Sequence, residues 1–378
     1  MRIALVGDFP DLLDSPVGGP QAGAVSLVRG LLRIRPDLDI TIIRVAQDHR
    51  PGVTQVGSPS VTMHTLRQGR LPWSELPGLR PARRVARLLT QLRPDVVHVR
   101  GHAHYVDGAR FPAVLSIHGL PEYDRRYRPG TLRSARCVVL TRQYRRSRAR
   151  YRHILANAAY VAREVQPYCR GQVHFVPNPV DARFFDVRRV ESGPRVLFAG
   201  RIWSLKNVHG LIEAAARLLE DGVDYSLRLA GTIVWEEYGR RLHRLVRERG
   251  LEERVAFLGE LDRRAMMDEL AHARCLALPS FQEGAPNVIS EAAAAGVPAV
   301  VTFAGGCGEM VTHGWTGMVV DPNSAASIAE GLRPLLESPE RADEFGARAR
   351  HRACVYRPET VAERTLAVYE TVAGERAS

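Results

Sequence analysis

The order of apolar runs in this 378-residue chain predicts an α/β protein with two doubly wound parallel sheets. Three observations carry that expectation. Short apolar runs such as RIALV, DVVHV, AVLSI, RVLFA and CLAL do not alternate, as in strands buried on both faces. Longer stretches of helical spacing separate them, so the strands must cross over in parallel. A fresh alternation starts near residue 195, and the length suits two domains better than one.

Arg2–Gly7 reads as the first strand, followed by a Gly/Pro loop from Asp8 to Pro20. Ala22–Leu32 has helical spacing, and Asp39–Val45 is the next strand. Residues 49–78 are rich in Pro, Gly and Ser and read mostly as loop. Pro81–Leu92 is a helix with an Arg face, stopped by Pro94. Strands follow at Asp95–Val99, Ala113–Ile117, Cys137–Leu140, His153–Ala156 and Val173–Val176, with an Arg-rich helix between the third and fourth. In the second set, strands are expected at Arg195–Ala199, Tyr225–Ala230, Val255–Leu258, Cys275–Leu278, Ala299–Thr302 and Met318–Val320. Helices are expected at Val208–Glu220, Glu236–Arg249, Arg263–Ala271, Pro286–Ala295, Ala325–Leu336 and Pro339–Arg350. The expected domains are 1–178 and 179–357, with a cleft between them and a last helix at 358–378.

Composition narrows the function. Apolar residues make up 45% and charged residues 25%, which excludes a disordered, collagen-like or coiled-coil chain. No apolar run reaches the length of a membrane span, and MRIALVGD is too short a core for a secretory signal, so a cytoplasmic protein is expected. Five scattered cysteines without a CxxC pair speak against a disulfide framework or zinc site. The net charge of +12 divides unevenly: residues 1–180 carry +16 and residues 181–378 carry −4. Lys206 is the only lysine beside 52 arginines, a hint that an ammonium is needed there.

Four places can carry chemistry. Gly200-Arg201 and Lys206-Asn207 lie between a strand and a helix N-terminus, where free amides, a positive dipole and two cations make a diphosphate site; two plain surface cations are the bland alternative. Glu283-Gly284-Ala285-Pro286-Asn287-Val288 leads into a helix containing Glu291, with Pro286 suited to its first turn. A nucleotide sugar laid along that helix would put its diphosphate on the N-terminal amides, ribose hydroxyls on Glu291 and sugar hydroxyls on Glu283. Gly18-Gly19 lets backbone approach a phosphate, or is simply a flexible loop; without GxGxxG, a dinucleotide cofactor is not expected. His118-Gly119 ends a parallel strand, where open sheets bind ligands. His98, His102 and His104 are read as structural and Asp37-Leu38-Asp39 as a cap and turn, so no metal is expected. The Arg run from Arg125 to Arg152, with Arg142, Arg145, Arg146, Arg148 and Arg150, is either a solvated helix face or a surface for an anionic acceptor, an anionic membrane or nucleic acid.

Together these residues resemble the GT-B glycosyltransferases, specifically the large retaining family 4. FAGRIWSLKN at 198–207 resembles that family's phosphate loop, and EGAPNVISEAAAAGVPAV at 283–300 its E-x7-E segment. GGCGEMVTHGWTGMVVDP at 305–322 resembles its GG…E stretch, and VPNPVDARFF at 176–185 its interdomain PNGVD segment. The resemblance implies two facing Rossmann-like domains, donor in the second and acceptor in the first, with the last helix crossing back to the first. It implies a retaining transfer from a UDP- or GDP-sugar without metal or other cofactor. Diphosphate would meet Arg201, Lys206, Gly200 and the Gly18-Gly19 loop, and ribose Glu291. The sugar would meet Glu283 and the amides of Gly284 to Val288, with His118 near the reacting carbon. The acceptor would be a glycan, a lipid-linked sugar or a small molecule; the +16 charge of the first half, rather than the resemblance, adds an anionic membrane surface as a further partner. Asn207 stands where the family usually has Gly, Gly231-Thr232-Ile233 replaces a Gly-x-Gly, and Pro177-Asn178-Pro179 replaces PNG. The rival expectations are a sugar-nucleotide epimerase of the same fold and, in another class, an Arg-rich nucleic-acid-binding protein, the last disfavoured because no nucleic-acid motif accompanies the arginines.

Overall fold

In a computed structural model of the chain, residues 1–14, 16, 18–46, 52–57, 61–67, 80–120, 122–123, 127, 131–190 and 193–377 are described. They form two compact units, Met1–Pro179 together with Tyr356–Ser378, and Val180–Val355.

The first unit opens with β1 (Arg2–Val6), α1 (Gly18–Ile34) and β2 (Asp39–Ala46). It continues through β3 (Gly52–Gln55), β4 (Val61–Arg67), α2 (Arg80–Leu92), β5 (Val96–Arg100) and β6 (Ala113–Ile117). Helix α3 (Thr131–Arg148), β7 (His153–Ala156), α4 (Ala159–Val165) and β8 (Gln172–Phe175) complete its first stretch. The sheet order is β3-β4-β2-β1-β5-β6-β7-β8, parallel except for the β3–β4 pair. The core gathers Ile3, Leu5, Leu27, Val28, Leu31, Ile40 and Ile42 with Val361, Leu366 and Tyr369, which come from the end of the chain.

The second unit runs β9 (Arg195–Ala199), α5 (Val208–Glu220), β10 (Ser226–Ala230), α6 (Glu236–Glu248) and β11 (Val255–Gly259). Then follow α7 (Arg263–His272), β12 (Cys275–Leu278), α8 (Asn287–Ala294), β13 (Ala299–Thr302), α9 (Cys307–Met310) and β14 (Gly317–Val320). Helices α10 (Ala325–Glu337) and α11 (Pro339–Arg352) end it. Its sheet, β11-β10-β9-β12-β13-β14, is wholly parallel. The chain then returns to the first unit as α12 (Pro358–Ala377), which packs on α1. Gly30 permits that approach, since a Cβ there would lie 2.2 Å from the Pro358 carbonyl oxygen.

Four expectations are corrected. Cys137–Leu140 is helical, inside α3, because a four-residue apolar run does not by itself distinguish strand from helix. The loop expected over 49–78 contains β3 and β4; Val61, Met63 and Thr65 of β4 face inward in period-2 alternation. Val56 and Gly57 follow β3, and the remaining residues of that stretch lie outside those described. Gly18-Gly19 belongs to the first turn of α1 rather than to a loop, with Gly18 at φ +71°. Pro286 stands one position before α8, as its cap at ψ 125°.

Candidate functional site

In each sheet the strand order reverses beside the unit's first strand, at β1/β5 and at β9/β12. Open α/β sheets bind ligands at such switch points, beyond the carboxyl ends of the strands. In the second unit the loops leaving β9 and β12 are the two that carry Arg201, Lys206 and Glu283.

The β9 loop is shaped by close backbone crossings. Gly200 N–H donates to the Ala230 carbonyl at 3.0 Å, and a Cβ on Gly231 (φ +138°) would fall 1.9 Å from the Gly200 carbonyl oxygen. Arg201 is exposed at the start of the loop, and a 3₁₀ turn at Ser204–Lys206 delivers Lys206. Asn207 then adopts the left-handed conformation (φ 54°, ψ 37°), which Asn tolerates better than most residues. Its fully buried amide Nδ2 donates to the Pro279 carbonyl at 3.1 Å and the Pro322 carbonyl at 2.7 Å. A glycine could take the same conformation but could not make these bonds. Asn207 therefore ties the β9 loop to the segments leaving β12 and β14.

The same tie brings Lys206 against Glu283, 77 positions away in sequence. Lys206 Nζ donates to Glu283 Oε1, and the two side chains are 15% and 12% exposed. Ser280 Oγ donates to the same oxygen at 2.9 Å. The Glu283 backbone is held as well: Gly306 N–H donates to its carbonyl at 3.1 Å, and a Cβ on Gly305 (φ +66°) would lie 2.0 Å from that oxygen. Gly284, Ala285, Pro286, Asn287 and Val288, all half-buried, lead from Glu283 into α8. No side chain caps the N-terminus of α8 or of α5. These helices follow adjacent strands, so two positive helix ends lie on the side of the sheet that holds Lys206 and Arg201. Glu291 is half-buried in α8; burial pushes its carboxyl up to about 7, against the opposing pull of the Arg263 guanidinium. Buried Cys307 adjoins the pair; burial and the Glu283 charge raise its thiol well above the usual range.

In the first unit, His118 directly follows β6. Its Nδ1 lies 2.9 Å from Asn178 Oδ1, so the ring proton sits on Nδ1 and Nε2 is a bare acceptor, buried and unpartnered. Burial, helped by the Arg100 charge, lowers its pKa to about 3, so the ring is neutral at physiological pH. His98 is structural: its ring nitrogens meet the Tyr369 hydroxyl at 2.5 Å and Ser116 Oγ at 2.6 Å. His102 and His104 pack edge to face against each other, and among the described residues no cluster of three metal-ligating side chains occurs. Asp37 binds Arg35 in the turn before β2.

The Arg run needs a correction. Arg148 is not on a solvated face: it is buried, with Nη1 donating to Glu122 at 2.7 Å and to the Tyr168 hydroxyl at 2.9 Å. Arg142, Arg145, Arg146, Arg150 and Arg152 are exposed, and Arg125 lies outside the described residues. Sequence reasoning passed over Arg100 and Asn157, and took Asn178 only as part of the turn at Pro177-Asn178-Pro179. The available signal was their position, since each lies at or just beyond the carboxyl end of a strand in the first sheet.

Two doubly wound sheets, the second with a Gly-Arg…Lys loop beside the segment from Glu283 to Glu291, are the architecture of the GT-B fold. The profile of Glycosyl transferases group 1 matches residues 180–352, and that of Glycosyltransferase Family 4 matches residues 17–184. Together the two profiles span residues 17–352, each matching a little under half of the chain. It is 33% identical to a glycogen synthase of Mycobacterium tuberculosis over 53% of this chain, spanning about half (48%) of that relative. It is 27% identical to a D-inositol 3-phosphate glycosyltransferase of Pseudarthrobacter chlorophenolicus, over 93% of this chain and 91% of the relative. Among solved structures, sucrose-phosphate synthase of Thermosynechococcus elongatus shares the fold with a TM-score of 0.83 at 20% identity, covering 100% of both chains. HepE of Anabaena, in complex with UDP and glucose, does so with a TM-score of 0.69 at 18% identity, over 98% of this chain and 100% of that one.

Proposed function

We propose that the chain transfers a sugar from a nucleoside-diphosphate sugar to an acceptor hydroxyl, with retention at the anomeric carbon. The observation that carries this reading is the juxtaposition of Lys206, Glu283 and two uncapped helix N-termini at one switch point of the second sheet. The donor diphosphate would draw Lys206 away from Glu283 and add Arg201 and the helix amides, with the ribose on ionised Glu291. Glu283, released from Lys206, would hold the sugar hydroxyls. The bond from the anomeric carbon to the diphosphate then breaks, its electron pair leaving with a phosphate oxygen. The acceptor oxygen bonds to the same face of that carbon, and its proton passes to the departing phosphate. Charge developing on the diphosphate would be met by cations and amides already in place, which needs no metal or other cofactor. The nucleotide complexes of a protein of this fold support a UDP-sugar as the first donor to test. The acceptor belongs to the first unit, where His118 Nε2 would accept a hydrogen bond from a sugar or acceptor hydroxyl.

We further propose that the acceptor is presented at an anionic surface. Exposed Val138 and Val139 share α3 with exposed Arg142, Arg145 and Arg146, a combination suited to a membrane interface. No helix among the described residues is long and apolar enough to cross a membrane.

The test is thermal stabilisation by UDP-, GDP-, ADP- and TDP-sugars, followed by NMR of the product's anomeric configuration. Inversion of configuration would refute retention. An epimerised nucleotide sugar formed without acceptor would replace transfer with epimerisation.

A further inference from the structure

A polar cavity lies wholly within the first unit, at the carboxyl ends of β5 to β8. Its lining includes Arg100, His118, Asn157 and Asn178. Arg100 ends β5 beside the β1/β5 switch point, and Gly7, just past β1, leaves it room: a Cβ there would lie 3.0 Å from the Arg100 Cβ. Arg100 is only 7% exposed, yet no carboxylate pairs with it among the described residues. The other buried cations of this unit differ, Arg44 pairing with Asp11 and Arg148 with Glu122. Burial lowers the Arg100 pKa to about 10, which still leaves it charged at neutral pH. Asn157, directly after β7, is 6% exposed, and neither Nδ2 nor Oδ1 has a partner. With the bare Nε2 of His118, two side chains line one cavity without hydrogen-bond partners, beside an arginine that no carboxylate pairs among the described residues. The space admits a single oxygen-sized group, so a ligand must enter end-on.

We propose that this cavity is a subsite for an anionic group on the acceptor, a phosphate monoester or a carboxylate, that enters one oxygen first. Arg100 supplies the counter-charge and Asn157 Nδ2 a second donor, while His118 Nε2 accepts from a hydroxyl beside the anionic group. The inference rests on the reading of the first unit as the acceptor-binding one.

The test uses the full chain saturated with UDP, so that the donor loop does not compete for anions. Calorimetric titration compares three probes of one skeleton: glycerol 3-phosphate, glycerate and neutral glycerol. Phosphatidic acid vesicles distinguish a lipid-borne phosphate from a free one. The expected result is binding of a charged probe and not of glycerol, weakened about tenfold or more by Arg100→Gln and by Asn157→Leu. Binding only to the vesicles, with the same sensitivity to both variants, also supports the subsite and assigns it to a lipid headgroup. Circular dichroism checks that each variant folds; if Arg100→Gln does not, Asn157→Leu decides. Absence of binding by every charged probe, or equal binding by the folded variants, overturns the proposal. If UDP itself fails to bind, the donor reading falls, and wild-type against variant titrations without UDP still decide the cavity.

Discussion

Replacing Lys206 by Ala removes the cationic half of an ion pair whose members are 15% and 12% exposed. Glu283 keeps the Ser280 hydroxyl at 2.9 Å, but its charge is left without a counter-ion in a largely water-excluded place. Breaking a fully buried pair costs ~3–5 kcal/mol, and the residual exposure here lowers that to about 2–3 kcal/mol. For a unit of this size each kcal/mol moves the melting temperature by about 2–4 °C, so a fall of roughly 5–10 °C is expected in its transition. Glu283→Gln in the Lys206→Ala background removes the stranded charge and should recover more than half of the loss. The assay is a double-mutant cycle by calorimetric melting, with UDP affinity measured on the same four proteins. Stability should be recovered in the double variant while UDP affinity stays at least about tenfold below wild type, because the diphosphate loses a charge-assisted contact. Additive melting shifts would refute the pair as a coupled unit. Restored UDP affinity in the double variant would refute Lys206 as the diphosphate ligand.

Further predictions follow from the same geometry. Glu291 holds its proton up to about pH 7 in the folded chain and loses it near pH 4.5 when unfolded, so the native state binds more protons between these values and stability falls as pH rises through that window. Urea midpoints of wild type and Glu291→Gln from pH 5 to 8 should diverge in favour of the variant as pH rises, and a pH-independent difference would contradict the assignment. Donor affinity should tighten from pH 6 to 8 in wild type and stay flat in Glu291→Gln. Gly305→Ala places a Cβ against the Glu283 carbonyl at an unfavourable φ, so turnover should drop at least about tenfold with the second sheet intact by circular dichroism. Vesicles rich in anionic lipid should sediment the protein at low salt only, and Arg145→Glu with Arg146→Glu should abolish this; equal sedimentation by the variant would remove α3 from the interface.

The strands of the second unit were legible because CLAL, AVVT and RVLFA are buried on both faces and carry no competing period. In the first unit β4 alternates Val61, Thr62, Met63, His64, Thr65, but Pro, Gly and Ser on either side gave it the look of a loop. CVVL was misread for the opposite reason: β-branched content suggested a strand where eighteen residues run as helix. At the site, sequence singled out Lys206 as the one lysine, on a strand-to-helix loop, and Glu283 from its place between a strand and a helix, but gave no means of pairing them, since they meet only through loops from adjacent strands. Asn207 looked like a defect in the motif until its φ and its two carbonyl partners explained it. Arg100 and Asn157 were passed over because a polar residue at a strand end is commonplace; what sets them apart is lost water and missing partners, which only three dimensions reveal.

The return of α12 to the first unit has a consequence for how the chain can be made. Val361, Ala362, Leu366 and Tyr369 fill the core beneath α1, yet a ribosome supplies them only after the whole of Val180–Val355. The first half synthesised must therefore wait, its apolar face uncovered, while the later-born unit, contiguous in sequence, can complete itself first. The unit translated second thus has all its own chain available before the unit translated first does. A nascent chain arrested before residue 358 would present a sticky, unfinished sheet to chaperones, whereas a fragment spanning 180–355 carries every strand of its own sheet.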